Sequence, residues 1–291
     1  MEFEPARSVG GVGCVGAVGL SYNAPMKPVL LCLHGWGGSK ESFTELRAAL
    51  KDVDLEILTP DLPGFGDGPE PDRPWTTDEY ADWVVGWLRK ELRMENGEWR
   101  IDRPVFVLGH SHGGRIAIKL AARLGIEPDP EPVSTKRTSP PLTFPIARLF
   151  LCAPAGIRHS RHFKRIIGLT LAKAGKFFLS IPGLRLLQPL GKKLLYTLVR
   201  VHDYEKASPI MRETLIKVSA EDLTPLLSSI TVPTDIFWGS DDRMTPVTDA
   251  ALFHDRLRHS SLHVFPGVRH AVHRDPVAIG QIVEAIRYQL H

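Results

Sequence analysis

Ser111 lies in Gly109-His110-Ser111-His112-Gly113, a G-x-S-x-G pentapeptide that closes the apolar run Val105-Phe106-Val107-Leu108. A serine hydroxyl is a poor nucleophile at neutral pH, so it needs a base within hydrogen-bond reach and a third group to orient that base. Residue types suited to both roles follow two later apolar runs. Gly239-Ser240-Asp241-Asp242 comes after Phe237-Trp238, and Pro266-Gly267-Val268-Arg269-His270 comes after Val264-Phe265. Behind the serine, Ile116, Ala117, Leu120, Ala121 and Leu124 recur at helical spacing, which puts the amide of His112 at a helix N-terminus. An amide there can stabilise an oxyanion.

Other residues compete for these roles. His34, His110, His112, His263 and His273 are alternative bases, but they sit beside the nucleophile, in strands, or past the final loop. Asp61 ends an apolar segment, yet its Pro63-Gly64 context suits a structural turn. The histidines show no H-E-x-x-H or other tight ligand spacing, and the glycines near Gly35 and Gly109 fit neither the phosphate-loop nor the dinucleotide fingerprint. No metal and no cofactor are expected.

The elements that must carry these residues can be read from periodicity. Val29-Leu30-Leu31-Cys32-Leu33 is a continuous apolar run, as in strands covered on both faces, and ends in His34-Gly35-Trp36-Gly37-Gly38. Ser39 can cap a helix on which Phe43, Leu46 and Leu50 share a face. A strand over Leu55–Thr59 leads into Asp61-Leu62-Pro63-Gly64-Phe65-Gly66. Thr76 and Glu79 form a capping box ahead of the stripe Tyr80, Trp83, Val84, Trp87 and Leu88. Further strands are expected at Val105–Leu108, Arg148–Cys152, Asp235–Trp238 and Leu262–Phe265. A last helix starts at Asp275 and Pro276. Strands alternating with helices predict an α/β fold, with a mostly parallel central sheet, helices on both faces, and ligands at the carboxyl ends of the strands. Between Ile157 and about Leu227 the alternation stops and the chain reads as helices broken at prolines. This divides the chain into a core of residues 1–156 and 228–291 and a helical cap over 157–227, with 127–145 as an exposed mobile loop. Residues 1–24 are glycine-rich and show only weak β alternation.

Composition narrows the function. The 291 residues are 43% hydrophobic, enough for a full core, and a net charge of +3 does not require a nucleic-acid partner. Three cysteines without C-x-x-C spacing argue against a disulfide framework or a thiolate metal site. The N-terminus, Met1-Glu2-Phe3-Glu4, is acidic where a secretory signal is basic, and no run of about 18 apolar residues occurs. A cytoplasmic protein is expected.

Taken together, H-G-x-G-G from His34, D-x-P-G-x-G from Asp61, G-x-S-x-G from Gly109, G-x-x-D-x-x-x-P from Gly239 and P-G-x-x-H from Pro266 resemble the α/β-hydrolase fold family. The resemblance runs from about residue 28 to the C-terminus and is to the esterase and lipase-like branch with a helical cap. It implies that Asp242, in preference to Asp241, is the triad acid and His270 the base. It also implies that the backbone amides of Trp36 and His112 form the oxyanion hole. The family more often has an apolar or amide side chain where His112 stands, so its imidazole either contacts substrate or fills space above the turn.

The implied activity is a serine hydrolase cleaving carboxylic esters, or thioesters or lactones, of hydrophobic acyl groups through an acyl-enzyme. Two alternatives share the fold: a cofactor-free C–C bond hydrolase or lyase, and a non-catalytic ligand-binding or sensor protein using the capped pocket. Between Ile157 and His202 stand ten Lys or Arg residues, with no Asp or Glu, among many apolar side chains. Such a basic amphipathic cap either meets an anionic lipid surface or an anionic ester, or is a solvated face balanced by Asp203, Glu205, Glu213, Glu221 and Asp222. Physiological substrate and oligomeric state are not encoded legibly.

Overall fold

A computed structural model describes residues 27–92, 103–124, 146–158 and 207–290. The expected mobile loop at 127–145, the glycine-rich residues 1–24 and most of the expected cap lie outside these residues. Among the described residues six strands form one parallel sheet: β1 (Val29–Leu33), β2 (Glu56–Leu58), β3 (Val105–His110), β4 (Ile146–Cys152), β5 (Thr234–Gly239) and β6 (Ser260–Phe265). Their spatial order is β2-β1-β3-β4-β5-β6. The helices are α1 (Thr44–Ala49), α2 (Thr77–Glu91), α3 (His112–Leu124), α4 (Pro209–Ala220), α5 (Thr224–Leu227), α6 (Thr248–Arg256) and α7 (Pro276–Tyr288).

The strand order explains how both faces are covered. The step from β1 to β2 runs one way along the sheet, and every later step runs the other way. Crossovers between parallel strands are right-handed, so α1 falls on the opposite face from α2, α3 and α6. Contacts agree: α1 packs with α7, whereas α2 packs with α3, α3 with α5 and α5 with α6. A sheet covered on both sides needs apolar residues at every position, not alternate ones. Accordingly β1, β3 and β5 are buried throughout, while β6, at the sheet's edge among the described residues, is only partly covered.

Local signals act as the sequence suggests. Thr76 and Glu79 cap α2 reciprocally, with Thr76 N–H donating to Glu79 Oε2 at 2.7 Å. Asp275 accepts from Val277 N–H and Ala278 N–H ahead of Pro276 in α7. The helix expected after Ser39 differs: residues Lys40–Phe43 form a 3₁₀ turn before α1 begins. Lys40 is the first residue of that turn, so its N–H has no acceptor within a helix of either kind and finds one outside. Asp61 Oδ1 takes the Lys40 N–H at 2.6 Å, and Ser39 and Ser42 close the turn on themselves. The same Asp61 accepts from Asp67 N–H at 3.0 Å, so it pins the turn that its proline-glycine context suggests.

The chain between β4 and β5 leaves and returns through a narrow neck. Leu223 N–H donates to Gly156 C=O at 2.8 Å, and Arg158 N–H donates to Asp222 Oδ1 at 3.4 Å. Of the expected cap, the described part is α4 and α5. Among the described residues no helix is long and apolar enough to cross a membrane.

Candidate active site

The direction of the strand order reverses at β1 and β3. A crevice opens where neighbouring crossovers diverge to opposite faces, at the carboxyl ends of those strands. Leu33 pairs with Gly109, so His34-Gly35-Trp36 and His110-Ser111-His112 leave the sheet side by side. Ser111 has φ of 51°, a left-handed conformation that a non-glycine residue rarely holds without support. Backbone hydrogen bonds supply it: the Ser111 N–H donates to Cys152 C=O at 3.2 Å, and its own C=O accepts from Ala155 N–H and Arg115 N–H. The two glycines flanking the turn are there for space. A Cβ at Gly113 would stand 2.0 Å from the Leu33 carbonyl oxygen, and one at Gly109 would stand 2.6 Å from that of Gly113. His112 opens α3, so its N–H has no acceptor within the helix.

At the other side, Gly239 pairs with Phe265, which brings the loops after β5 and β6 to the same level. Asp242 and His270 meet there, Nδ1 to Oδ2, at 2.7 Å. Asp242 is buried, and its carboxylate is saturated with donors. Oδ1 accepts from Met244 N–H at 2.7 Å and Thr245 N–H at 3.0 Å, and Oδ2 accepts from Thr245 Oγ1 at 2.8 Å. Burial alone would raise its pKa, but the His270 bond, with the Thr245 and Met244 donors, outweighs burial and leaves the carboxyl below its usual range. Asp241 is exposed and bonded by Ser240 Oγ, away from the histidine. His270 Nε2 is buried and has no hydrogen-bond partner, so it is not bonded to the Ser111 hydroxyl. Such bonds are often long in a free enzyme and tighten around substrate.

Two residues have roles here that were not read from sequence. Thr245 donates to Asp242, lies 3.3 Å from His270 Nδ1, and has its carbonyl held by Trp238 Nε1–H at 3.0 Å. Its signal was available, since a carboxylate bonding amides two and three residues ahead is an Asx-type turn. The other is His34, fully buried, whose Nε2 accepts from Leu62 N–H at 3.0 Å while Nδ1 lies 2.9 Å from Gly35 C=O. An imidazole accepting at Nε2 and facing a carbonyl at Nδ1 is the neutral Nδ1–H tautomer. It ties the Asp61–Gly66 loop to the loop bearing Trp36.

Trp36 is half-buried and packs edge-on against Phe65 at 4.8 Å and against His112 at 5.4 Å. Tyr80 closes on His112 from another side at 4.8 Å. Inside this aromatic enclosure burial, helped by the charge of Arg115, lowers the His112 pKa to about 3, so its ring is neutral at physiological pH. Of the competing histidines, His263 bonds Asp235 within the sheet, and His110 and His273 are buried behind His270. Among the described residues no group of three or more His, Cys, Asp or Glu side chains could hold a metal ion.

Comparison with known proteins accords with this architecture. The pimeloyl-[acyl-carrier protein] methyl ester esterase of Neisseria meningitidis serogroup B (strain MC58) is 30% identical over 249 residues, covering 82% of this chain and 84% of that protein. Lipase 1 of Psychrobacter immobilis is 25% identical over 232 residues, covering 76% of this chain and 64% of the lipase. Among solved structures, MenH from S. aureus superposes with a TM-score of 0.60 at 20% identity, over 92% of this chain and 97% of that one. The esterase EaEST from Exiguobacterium antarcticum gives 0.59 at 20% identity, over 90% and 91%. A family profile described as "Alpha/beta hydrolase family" matches residues 30–281. With the match spanning most of the sequence and the sheet, crossover pattern and strand-end loops all in place, the chain belongs to the alpha/beta hydrolase family.

Proposed function

We propose that this chain is an ester hydrolase that cleaves carboxylic esters of apolar acyl groups through a covalent acyl-enzyme on Ser111. The observation that carries this reading is the 2.7 Å Asp242–His270 hydrogen bond at the same end of the sheet as the left-handed turn at Ser111. His270 Nε2 takes the proton from the Ser111 hydroxyl as the oxygen attacks the ester carbonyl. Asp242, ionised and bonded to Nδ1, holds the tautomer that leaves Nε2 free to accept, and stabilises the imidazolium that forms. The N–H groups of Trp36 and His112 receive the developing oxyanion. The imidazolium then protonates the leaving alcohol. In the second half His270 draws a proton from water, the hydroxide adds to the acyl carbon, and Ser111 departs with its proton restored.

The acyl preference rests on two supports. The relatives by sequence are named as a pimeloyl-[acyl-carrier protein] methyl ester esterase and as a lipase. The chain also carries ten basic and no acidic residues between Ile157 and His202, set among apolar ones, a composition suited to an anionic surface or to an acyl group borne on an anionic carrier.

Hydrolysis of p-nitrophenyl esters from acetate to palmitate, by wild type and Ser111→Ala in parallel, tests both parts. Wild-type turnover with an optimum beyond acetate is expected, falling at least ~10³-fold in the variant. Equal turnover by a folded Ser111→Ala protein would refute the nucleophile assignment, and an optimum at acetate would refute the acyl preference.

A further inference from the structure

His110 ends β3, one residue before Ser111, and is buried although nothing in the reaction above uses it. Its Nε2 lies 3.1 Å from the backbone carbonyl oxygen of His270. A carbonyl oxygen only accepts, so Nε2 carries a proton, and in the neutral ring Nδ1 is then bare. The ring has little freedom to leave this bond. The His270 ring packs on it at 4.8 Å and the His273 ring at 4.0 Å, and Phe43 stands behind His273 at 5.3 Å. On its remaining edge the Gly35 backbone comes so near that a Cβ there would stand 2.8 Å from Nδ1. One imidazole thus touches the strand of the nucleophile, the loop bearing the Trp36 amide and the backbone of the base.

The His270 loop needs such a tie. Its earlier half is pinned to the acid loop, with Gly267 N–H donating to Ser240 Oγ at 2.8 Å and Asp241 N–H donating to Val268 C=O at 2.9 Å. The Asp242 bond fixes how the His270 ring is turned, but it is made to that same acid loop. Neither is made to β3, where Ser111 stands. The His110–His270 bond joins those two segments across 160 residues of sequence.

We propose that His110 is a positioning residue: by donating Nε2–H to the His270 carbonyl it sets the placement of the His270 ring over Ser111. The proposal rests on the reading of Ser111 and His270 as nucleophile and base. Misplacement by about 1 Å costs on the order of 10²-fold in rate. That is the scale of effect expected when the bond is lost.

Glutamine and asparagine separate positioning from simple packing. The amide nitrogen of Gln reaches the position of Nε2 and can donate to the same carbonyl, whereas that of Asn stops at the level of Nδ1. Three variants, His110→Gln, His110→Asn and His110→Leu, are compared with wild type for p-nitrophenyl butyrate hydrolysis, thermal melting and the downfield NMR resonance of the His270 Nδ1 proton. The Leu and Asn variants are expected to lose ~30- to 100-fold in kcat with KM within ~2-fold, and to lose or broaden the resonance. The Gln variant recovers both, although all three melt at similarly lowered temperatures. If Asn and Gln behave alike, or if activity simply follows melting temperature, the proposal is overturned. The resonance reads the placement of His270 whether or not an ester turns over. A wild type silent toward every ester but with a resonance that depends on His110 sinks the ester reading and leaves positioning intact. A sharp resonance in the Leu variant sinks positioning whatever the activity.

Discussion

The Thr245 hydroxyl shows how much of the candidate site depends on a side chain with no chemistry of its own. It gives Asp242 Oδ2 a second donor beside His270 Nδ1, so the carboxylate is held from both sides. A hydrogen bond to a charged group is worth about 1.5–3 kcal/mol, and burial makes its loss felt. Thr245→Val keeps the shape and deletes the donor. It is expected to lower kcat ~10-fold, while the Met244 and Thr245 amides still hold Oδ1. Steady-state kinetics on the ester found best in the chain-length series measures this; an unchanged kcat would make the hydroxyl a bystander. The serine, the acid pair and His270 were all legible from residue type and motif order. The choice between Asp241 and Asp242 came from the resemblance, and in the structure it is Asp242 that bonds His270. Thr245 carried a local signal, an Asx-type turn on Asp242 three residues before it, whereas the role of His110 escaped because its partner is set by tertiary contact. No local pattern places residue 110 against the backbone of residue 270.

At the scale of elements, strands and caps were legible because each depends on neighbours in sequence: apolar runs for β1, β3 and β5, and side chain to backbone bonds for α2 and α7. What the helical stripe after Ser39 did not show is the form of the first turn: Lys40–Phe43 is 3₁₀ before α1 begins, and the Lys40 amide, which no helix can bond internally at that position, goes to Asp61, 21 residues ahead. The turn from β3 into α3 is the most demanding junction, since Gly113 passes over β1 with no room for a side chain. Gly113→Ala would press a methyl group to 2.0 Å from the Leu33 oxygen, a backbone atom that cannot swing aside. The variant is expected to lose at least ~3 kcal/mol of stability, in the range of severe overpacking, although alanine is the better helix former. Urea unfolding would show it as a lower midpoint at constant slope. A midpoint equal to wild type would mean that β1 and α3 can separate at little cost.

Across the whole molecule, the histidines around the strand ends make stability depend on pH. Burial lowers the pKa of His34, lowers that of His110 well below 6.5, and brings His112 and His273 to about 3. The unfolded chain binds protons at these residues from about pH 6.5 downward, while the folded chain does not. Folding is therefore favoured in full above about 6.5, and stability falls as the pH drops toward the folded values. Each such histidine costs up to ~1.4 kcal/mol per pH unit in that window. Asp242, with its pKa lowered, acts in the same direction but only at lower pH, near and below the ordinary carboxylate range. Thermal melts between pH 7.5 and 4.5 are expected to drop steeply below about 6, and replacing His273 with Phe should flatten that drop. A flat profile in the wild type would mean that the folded state admits protons to these rings. None of this was legible from the count of histidines, because burial, not abundance, decides their charge.

The neck formed by Gly156, Arg158, Asp222 and Leu223 also has an evolutionary meaning. β4 and β5 pair directly, Leu149 with Thr234, although some eighty residues of chain separate them. The excursion between them begins and ends at one place, so its length and sequence can change without moving a single register of the sheet, and closing a longer loop adds only about 0.6 kcal/mol per doubling. Natural selection can therefore exchange that segment as a unit. Descendants of one scaffold could inherit the same sheet and strand-end loops and diverge in that segment alone.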